Sequence, residues 1–192
     1  MPIYDDNGTV LTQIGKIYDD NGTVLTQIGK VYDHNGTTAT LIYSSEVILF
    51  NGTAACDYTG GWNSAVVAGA GAGFTLSGSA LKIQQTNYVA TTSAKIISKA
   101  KIAVSGATTL KFTYTATKGG NGTFTFGLSP VTTDWDVYDT AANLTRYARL
   151  STGGSGTASV NVSGLSGSYY VRFSVFGSTG NSTLSVTKIW LE

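Results

Sequence analysis

Leu110-Lys111-Phe112-Thr113-Tyr114-Thr115-Ala116, followed after Gly119-Gly120-Asn121-Gly122 by Phe124-Thr125-Phe126-Gly127-Leu128, is the stretch that decides the fold of this 192-residue chain. Leu110, Phe112, Tyr114 and Ala116 share one parity, and Lys111, Thr113 and Thr115 share the other. That is the period of two expected of a half-buried strand. The glycine-rich break returns the chain into a second run of the same kind, so the stretch reads as a hairpin with its aromatics on one face.

The pattern spreads in both directions. Ala158, Val160 and Val162 lead through Gly164 to Gly167 into Tyr169, Val171, Phe173 and Val175, and Gly177 to Asn181 turns the chain into Leu184 and Val186. Ile189 and Leu191 then switch parity, which predicts a bulge near Thr187 or Lys188. On the other side Ile96, Ala100, Ile102 and Val104 share a parity, as do Phe74 and Leu76. Val47-Ile48-Leu49-Phe50 reads as a first strand, turned by Asn51-Gly52. About eight or more short strands separated by Gly and Ser clusters predict two antiparallel sheets packed roughly 10 Å apart, as an immunoglobulin-like or jelly-roll sandwich. The jelly roll is preferred, and the order of strands is not set by the pattern.

Ahead of this domain stands a repeat. The segment Ile3 to Lys16 recurs unchanged from Ile17 to Lys30, a period of 14 residues, and a drifted third copy runs from Val31 to Ser44. Self-similarity at a fixed period marks a repeat architecture, in which one unit cannot cover its apolar face alone. Each copy carries Asn-Gly (Asn7-Gly8, Asn21-Gly22, Asn35-Gly36), a strong hairpin signal because both turn residues need positive φ. Thr9 to Asp20 then reads as a strand with a kink at Gly15. A helical reading competes, since Val10, Leu11, Ile14, Ile17 and Tyr18 fall at helical spacing, but the repeated Asn-Gly and the β-branched residues count against it.

The chain is thus expected to be all-β, with N-terminal β-hairpin or meander repeats over 1–45 followed by an antiparallel, jelly-roll-like β-sandwich over 46–192. Aliphatic strands without Trp or Phe make a poor core for a free-standing module. The repeats are therefore expected to associate between chains through Val10, Leu11, Ile14, Ile17, Tyr18, Val24, Leu25, Ile28, Val31 and Tyr32. Closed cyclic symmetry is the default for such an assembly.

Charged residues are 12% of the chain, Gly accounts for 24 positions, and the formal net charge is +1. That profile suits an extracellular or virion surface better than a cytosolic enzyme and makes no case for nucleic acid or membrane partners. Residues 1–45 hold five Asp and two Lys, net −3, and the remainder holds ten Lys or Arg and six acids, net +4. A lone Cys56 excludes an intrachain disulfide and reads as a small buried apolar group. No apolar run reaches spanning length, and no leader-like segment precedes the first repeat. Release of an intracellularly assembled particle by lysis is the expected route outward.

Catalytic options are few. The single histidine, His34, stands beside a turn of the third repeat, so a nucleophile–imidazole pair and His/Cys metal sites are not expected. Asp134-Trp135-Asp136-Val137-Tyr138-Asp139 gathers three acids and two aromatics. Asp134 and Asp136 on one strand or loop would point the same way rather than flank a sugar bond, with Asp57 a conceivable partner, so no enzyme is expected. Calcium on Asp134, Asp136 and Asp139 is a weak alternative that lacks the Gly and the closing Glu of a known loop motif. No cofactor is expected.

Binding has more support. Tyr58-Thr59-Gly60-Gly61-Trp62-Asn63 and the acidic segment both read as loops. Aromatic faces there could stack on sugar rings while Asp and Asn take hydroxyls. Tyr58, Trp62, Asn63, Trp135, Asp136 and Tyr138 are the glycan-contact candidates, set against the ordinary reading of each Trp as core. Lys95, Lys99 and Lys101 lie opposite Ile96, Ile102 and Val104. They read as a solvated edge, or more sharply as a contact for an anionic cell-wall polymer. The Asn-x-Ser/Thr triplets at Asn7, Asn51, Asn121 and Asn143 read as turns.

The motifs Tyr4 to Thr9, Tyr18 to Thr23 and Tyr32 to Thr37 resemble the short tandem modules that precede the larger domains of virion proteins in phages of Gram-positive gut bacteria. Thr59 to Trp62, Gly167 to Arg172 and Lys188 to Glu192 look like the β-sandwich that follows in such proteins. The repeats are also similar to the triple β-spiral shafts of viral fibres, departing from them in period and in their Asn-Gly turns. The resemblance implies a phage virion structural protein, fibre-like and a homotrimer. In it residues 1–45 would meet sister chains and other virion proteins, and the sandwich would face host surface polysaccharide. A capsid decoration or head-fibre protein that binds other virion proteins and no sugar is the alternative.

Overall fold

The computed structural model describes residues 46–67, 71–85, 93–132, 144–176 and 180–192 in full, together with the backbone of six strands within residues 1–45. The chain divides into two compact units, Met1–Glu46 and Val47–Glu192.

In the first unit β1 (Ile3–Tyr4) pairs with β2 (Val10–Leu11), β3 (Ile17–Tyr18) with β4 (Val24–Leu25), and β5 (Lys30–His34) with β6 (Ala39–Ser44), all antiparallel. Tyr4 faces Val10 and Tyr18 faces Val24, so the identical copies close in identical register around their Asn-Gly segments. The drifted copy forms the longest hairpin, with a register slip between Val31 and Tyr32 and His34 closing β5 opposite Ala39. Of the expected strand across Thr9 to Asp20, Val10–Leu11 and Ile17–Tyr18 are strand, and residues 12–16, with the kink expected at Gly15, lie outside the described residues. Val10–Leu11 pairs backward and Ile17–Tyr18 forward, so each copy closes upon itself, the outcome favoured by the low entropy cost of a short loop. Eight of the ten residues expected at a chain–chain interface are strand positions. Ile14 and Ile28 lie outside the described residues.

The second unit is an antiparallel β-sandwich of jelly-roll-like class. Its strands are β7 (Val47–Asn51), β8 (Trp62–Val67), β9 (Ala72–Thr75), β10 (Leu81–Gln85), β11 (Ser93–Ser98), β12 (Ile102–Ala103), β13 (Thr109–Thr117), β14 (Thr123–Ser129), β15 (Arg146–Leu150), β16 (Gly154–Asn161), β17 (Ser168–Phe176) and β18 (Ser182–Leu191). One sheet runs β16-β13-β18-β10-β9 with β7 also on β18. The other runs β15-β14-β17-β11-β8 with β12 also on β17.

The decisive stretch is strand–turn–strand, but it is not a hairpin. β13 belongs to the first sheet and β14 to the second, so Lys118 to Gly122 is an arch that crosses the core. Phe112 and Tyr114 meet Phe126 from the opposite layer at ring-centroid distances of 5.1 and 5.4 Å. Alternation shows which side of a strand is apolar, but not whether the next strand lies beside it or across from it. The arch fits because Gly119 has no side chain: a Cβ there would lie 2.6 Å from the backbone of Gly180 and Asn181. The Gly119 N–H donates to Ser182 Oγ at 2.9 Å.

Leu81, Ile83, Leu110, Phe112, Leu184 and Val186 from one layer, and Ile96, Phe124, Phe126, Leu128, Val171 and Phe173 from the other, are fully buried in one core. Each such side chain contributes about 1.5–3 kcal/mol of transfer free energy. The bulge expected near Thr187 is present. Val186 faces Tyr114 and Lys188 faces Thr113, so Thr187 has no opposite number and Ile189 and Leu191 return to the core side.

Candidate functional site

Strand pairing in the second sheet places the residues between its core positions on the outer face in straight ranks. One rank reads Ala65, Lys95, Ser174, Thr125 and Arg149 across β8, β11, β17, β14 and β15. The next reads Asn63, Ile97, Arg172, Gly127 and Tyr147. Cations, hydroxyls and a tyrosine thus share one surface, a set suited to a polyhydroxylated or anionic ligand.

Depth varies along these ranks. Lys95 and Arg172 are only 2% and 3% exposed, whereas Tyr147 is 51% exposed and Arg149 is exposed beside it. The Lys95 ammonium donates to the Thr132 carbonyl at 3.5 Å, at the point where the chain leaves β14. The Arg149 guanidinium lies over the Tyr147 ring at 5.8 Å, and Lys101 lies over Tyr170 at 5.6 Å. Gly127 makes room for the edge: a Cβ there would run into the Arg146 carbonyl oxygen and sit 3.0 Å from Tyr147 Cβ. Ser174 Oγ, buried between Lys95 and Thr125 in its rank, makes no hydrogen bond. Among the described residues this face carries no carboxylate.

The expected solvated lysine edge is therefore corrected in part. β11 lies between β17 and β8, and Lys95 is buried, while Lys99 and Lys101 are exposed. Sequence alternation labels Lys95 and Arg172 as outward-facing; that outward is not the same as exposed only the assembled face reveals. Tyr147 and Arg149 were missed altogether. The signal available was the alternation of Arg146, Ala148 and Leu150 against Tyr147 and Arg149.

Trp62 is corrected from stacking platform to core. It opens β8 rather than sitting in a loop, is 6% exposed, and packs against Tyr58, Phe50 and Phe173 at 5.7, 6.4 and 6.4 Å. Tyr58 is a clamp. Its hydroxyl donates to the Gly61 carbonyl at 2.9 Å and accepts the Ala100 N–H at 3.0 Å, tying the segment before β8 to the turn after β11. A Cβ at Gly60 would collide with the Tyr58 ring, which explains the Gly-Gly pair in physical terms. Asn63 is exposed at the β8 end of the second rank.

Trp135, Asp136 and Tyr138, with Asp134 and Asp139 of the calcium alternative, lie outside the described residues. Asp57 is engaged structurally, its Oδ2 accepting the Ile48 N–H at 2.6 Å. The Cys56 thiol is half-buried and donates to the Tyr58 carbonyl at 3.1 Å. No cluster of three His, Cys, Asp or Glu side chains forms among the described residues. Among the described residues there is no helix long and apolar enough to cross a membrane.

No family model and no curated protein matches the chain. Solved structures do resemble it. A family 11 carbohydrate-binding module from Clostridium thermocellum, in complex with a β-1,3-1,4-mixed-linked tetrasaccharide, is similar at 11% identity and TM-score 0.49, over 76% of this chain and 94% of its own. A family 29 carbohydrate-binding module is similar at 10% identity and TM-score 0.47, over 77% and 87%. The K2 cleaved adhesin domain of Lys-gingipain is similar at 16% identity and TM-score 0.44, over 68% and 89%.

Proposed function

We propose that this chain is a non-enzymatic, fibre-like structural protein of a phage virion whose β-sandwich binds host cell-surface glycan. In this reading residues 1–45 associate between sister chains, three by the resemblance to fibre shafts, and attach to other virion proteins. The observation that carries the glycan reading is the outer face of the second sheet. Tyr147 stands 51% exposed with Arg149 beside it, backed by two ranks of hydrogen-bonding side chains. A flat ring with polar groups around it is the arrangement that takes a sugar ring and its hydroxyls.

The described residues on either side of the segment that carries Trp135, Asp136 and Tyr138 meet this sheet: the Thr132 carbonyl accepts from Lys95, and the Thr145 N–H donates to the Leu128 carbonyl at 2.8 Å. The non-enzymatic reading is supported by the roles of Asp57 and Glu192. The first holds a backbone N–H of β7, and the second is paired with Lys111 and accepts from Trp190 Nε1.

The test is retention of the purified protein by host polysaccharide in affinity electrophoresis, with Tyr147→Ala and Trp135→Ala as variants. Both should lose retention while keeping the wild-type circular dichroism spectrum. Retention unchanged in both, or absent in the parent, favours the alternative of a capsid decoration protein that binds other virion proteins and no sugar.

A further inference from the structure

We infer that β16 is an association edge on which the sandwiches of two chains pair, strand against antiparallel strand, about a twofold axis through Thr157. The inference rests on the assembly of chains by residues 1–45 proposed above and adds a contact between their second units.

Among the described residues β16 ends the first sheet and pairs with β13 alone, and its eight residues keep register with β13 without a shift. The Val162 N–H donates to the Thr108 carbonyl at 2.9 Å. By the alternation of an antiparallel ladder, Val160, Ala158, Gly156 and Gly154 also turn their N–H and C=O groups toward β13. Ser155, Thr157 and Ser159 turn theirs the other way, off the sheet, and all three are exposed. An open row of this kind is a template for another strand, and proteins ordinarily blunt it with a short strand, a charge, a proline or a bulge. β16 has none of these. β15, β8 and β9, which end the sheets elsewhere, have five, six and four residues, and β15 carries Arg146 and Arg149.

The sequence of the row selects the occupant. Ser155, Thr157 and Ser159 read the same in both directions, so a second β16 laid antiparallel sets Thr157 opposite Thr157 and Ser155 opposite Ser159. Hydroxyl pairs are favourable cross-strand neighbours, and no like charges meet. Ser155 Oγ is held on its own sheet by Thr115 Oγ1 at 3.0 Å, and Gly154 and Gly156 carry no side chain that would hold the second strand off.

Three such pairs exchange about six backbone hydrogen bonds. Each adds little over the bonds to water that it replaces, and the loss of free motion on association outweighs them in dilute solution. Chains already gathered by their repeats have lost that freedom, and at the resulting effective concentration the edges close. A twofold contact joins two sandwiches, so in an assembly of three the third edge is left for a neighbouring assembly.

The test is disulfide trapping in the full chain carrying Cys56→Ser, under mild oxidation, read on a non-reducing gel. The Cα atoms of a hydrogen-bonded antiparallel pair lie about 5.5 Å apart, within disulfide reach. Thr157→Cys should crosslink chains about a hundredfold faster than Gln84→Cys, an exposed position of β10 in the same sheet but away from the edge. Ser155→Cys and Ser159→Cys should crosslink in a mixture and only slowly when each is alone. Adding Thr157→Lys to both places like charges on the axis and should slow that mixture, with recovery as salt is raised and an unchanged circular dichroism spectrum.

Thr157→Cys no faster than Gln84→Cys, in a chain that sediments as a multiple of its monomer mass, overturns the pairing and leaves assembly by the repeats standing. A chain that sediments as a monomer and does not crosslink overturns both. Ser155→Cys crosslinking as fast alone as with Ser159→Cys overturns the register about Thr157.

Discussion

Replacing Trp62 separates a core role from a ligand role. The indole is 6% exposed and contacts Phe50, Tyr58 and Phe173, so Trp62→Ala opens a cavity between β8 and the neighbouring layer. Large-to-small aromatic replacements in a core cost about 3–5 kcal/mol, the transfer and cavity terms together. For a unit of this size each kcal/mol moves Tm by roughly 3 °C, so the shift should be about 9–15 °C. Trp62→Phe keeps most of the ring volume and should cost about 1–2 kcal/mol by the same cavity reasoning. Tyr147→Ala, at 51% exposure, should stay within about 0.5 kcal/mol.

Urea unfolding followed by far-ultraviolet circular dichroism gives all three values without relying on the removed fluorophore. A Trp62→Ala loss below about 1 kcal/mol, with glycan retention abolished at the same time, would refute the placement of this ring in the core. The ordering Trp62→Ala, Trp62→Phe, Tyr147→Ala in stability, with the reverse ordering in retention, is the expected result.

Other outcomes follow from the same packing. Gly127→Ala should destabilise by about 1–3 kcal/mol, measured by urea unfolding, because its methyl group meets the Arg146 carbonyl and pushes β15 from β14. Ser98→Ala should cost about 1–3 kcal/mol, since Ser98 Oγ accepts the buried Val171 N–H at 3.0 Å and donates to the Ala100 carbonyl. Lys111→Ala should cost no more than about 1 kcal/mol, since its pair with Glu192 is partly exposed, and the difference should shrink in high salt. The full chain should sediment as a multiple of its monomer mass, and a chain beginning at Glu46 as a single copy; a monomer in both cases would end the proposal that the repeats assemble.

Period-two alternation in Leu110 to Ala116, Phe124 to Leu128 and Tyr169 to Val175 was enough to specify strands, their apolar sides and a two-layered core. The parity switch at Ile189 located a bulge to within a residue, because an extra residue must appear in the pattern wherever it appears in the ladder. Asn-Gly in each copy falls, in sequence, between the two strands that pair in each of the three hairpins of the first unit, where a dipeptide that favours reversal is expected. These features are local, and a local sequence can carry them.

Partners across space were another matter. Whether Phe126 lies beside Phe112 or opposite it depends on which layer β14 joins, and that is settled by the whole core closing at once. Trp62 looks the same to a sequence reader as stacking ring or core ring, because Phe50, Tyr58 and Phe173 reach it from three separate strands or loops. The ranks of Lys95, Ser174, Thr125 and Arg149 and of Arg172, Gly127 and Tyr147 exist only through the order β11, β17, β14, β15, in which no two neighbours in space but β14 and β15 follow one another along the chain. Sequence assigns a residue to a face; burial and neighbours belong to the sheet, because they are made by residues distant in the chain.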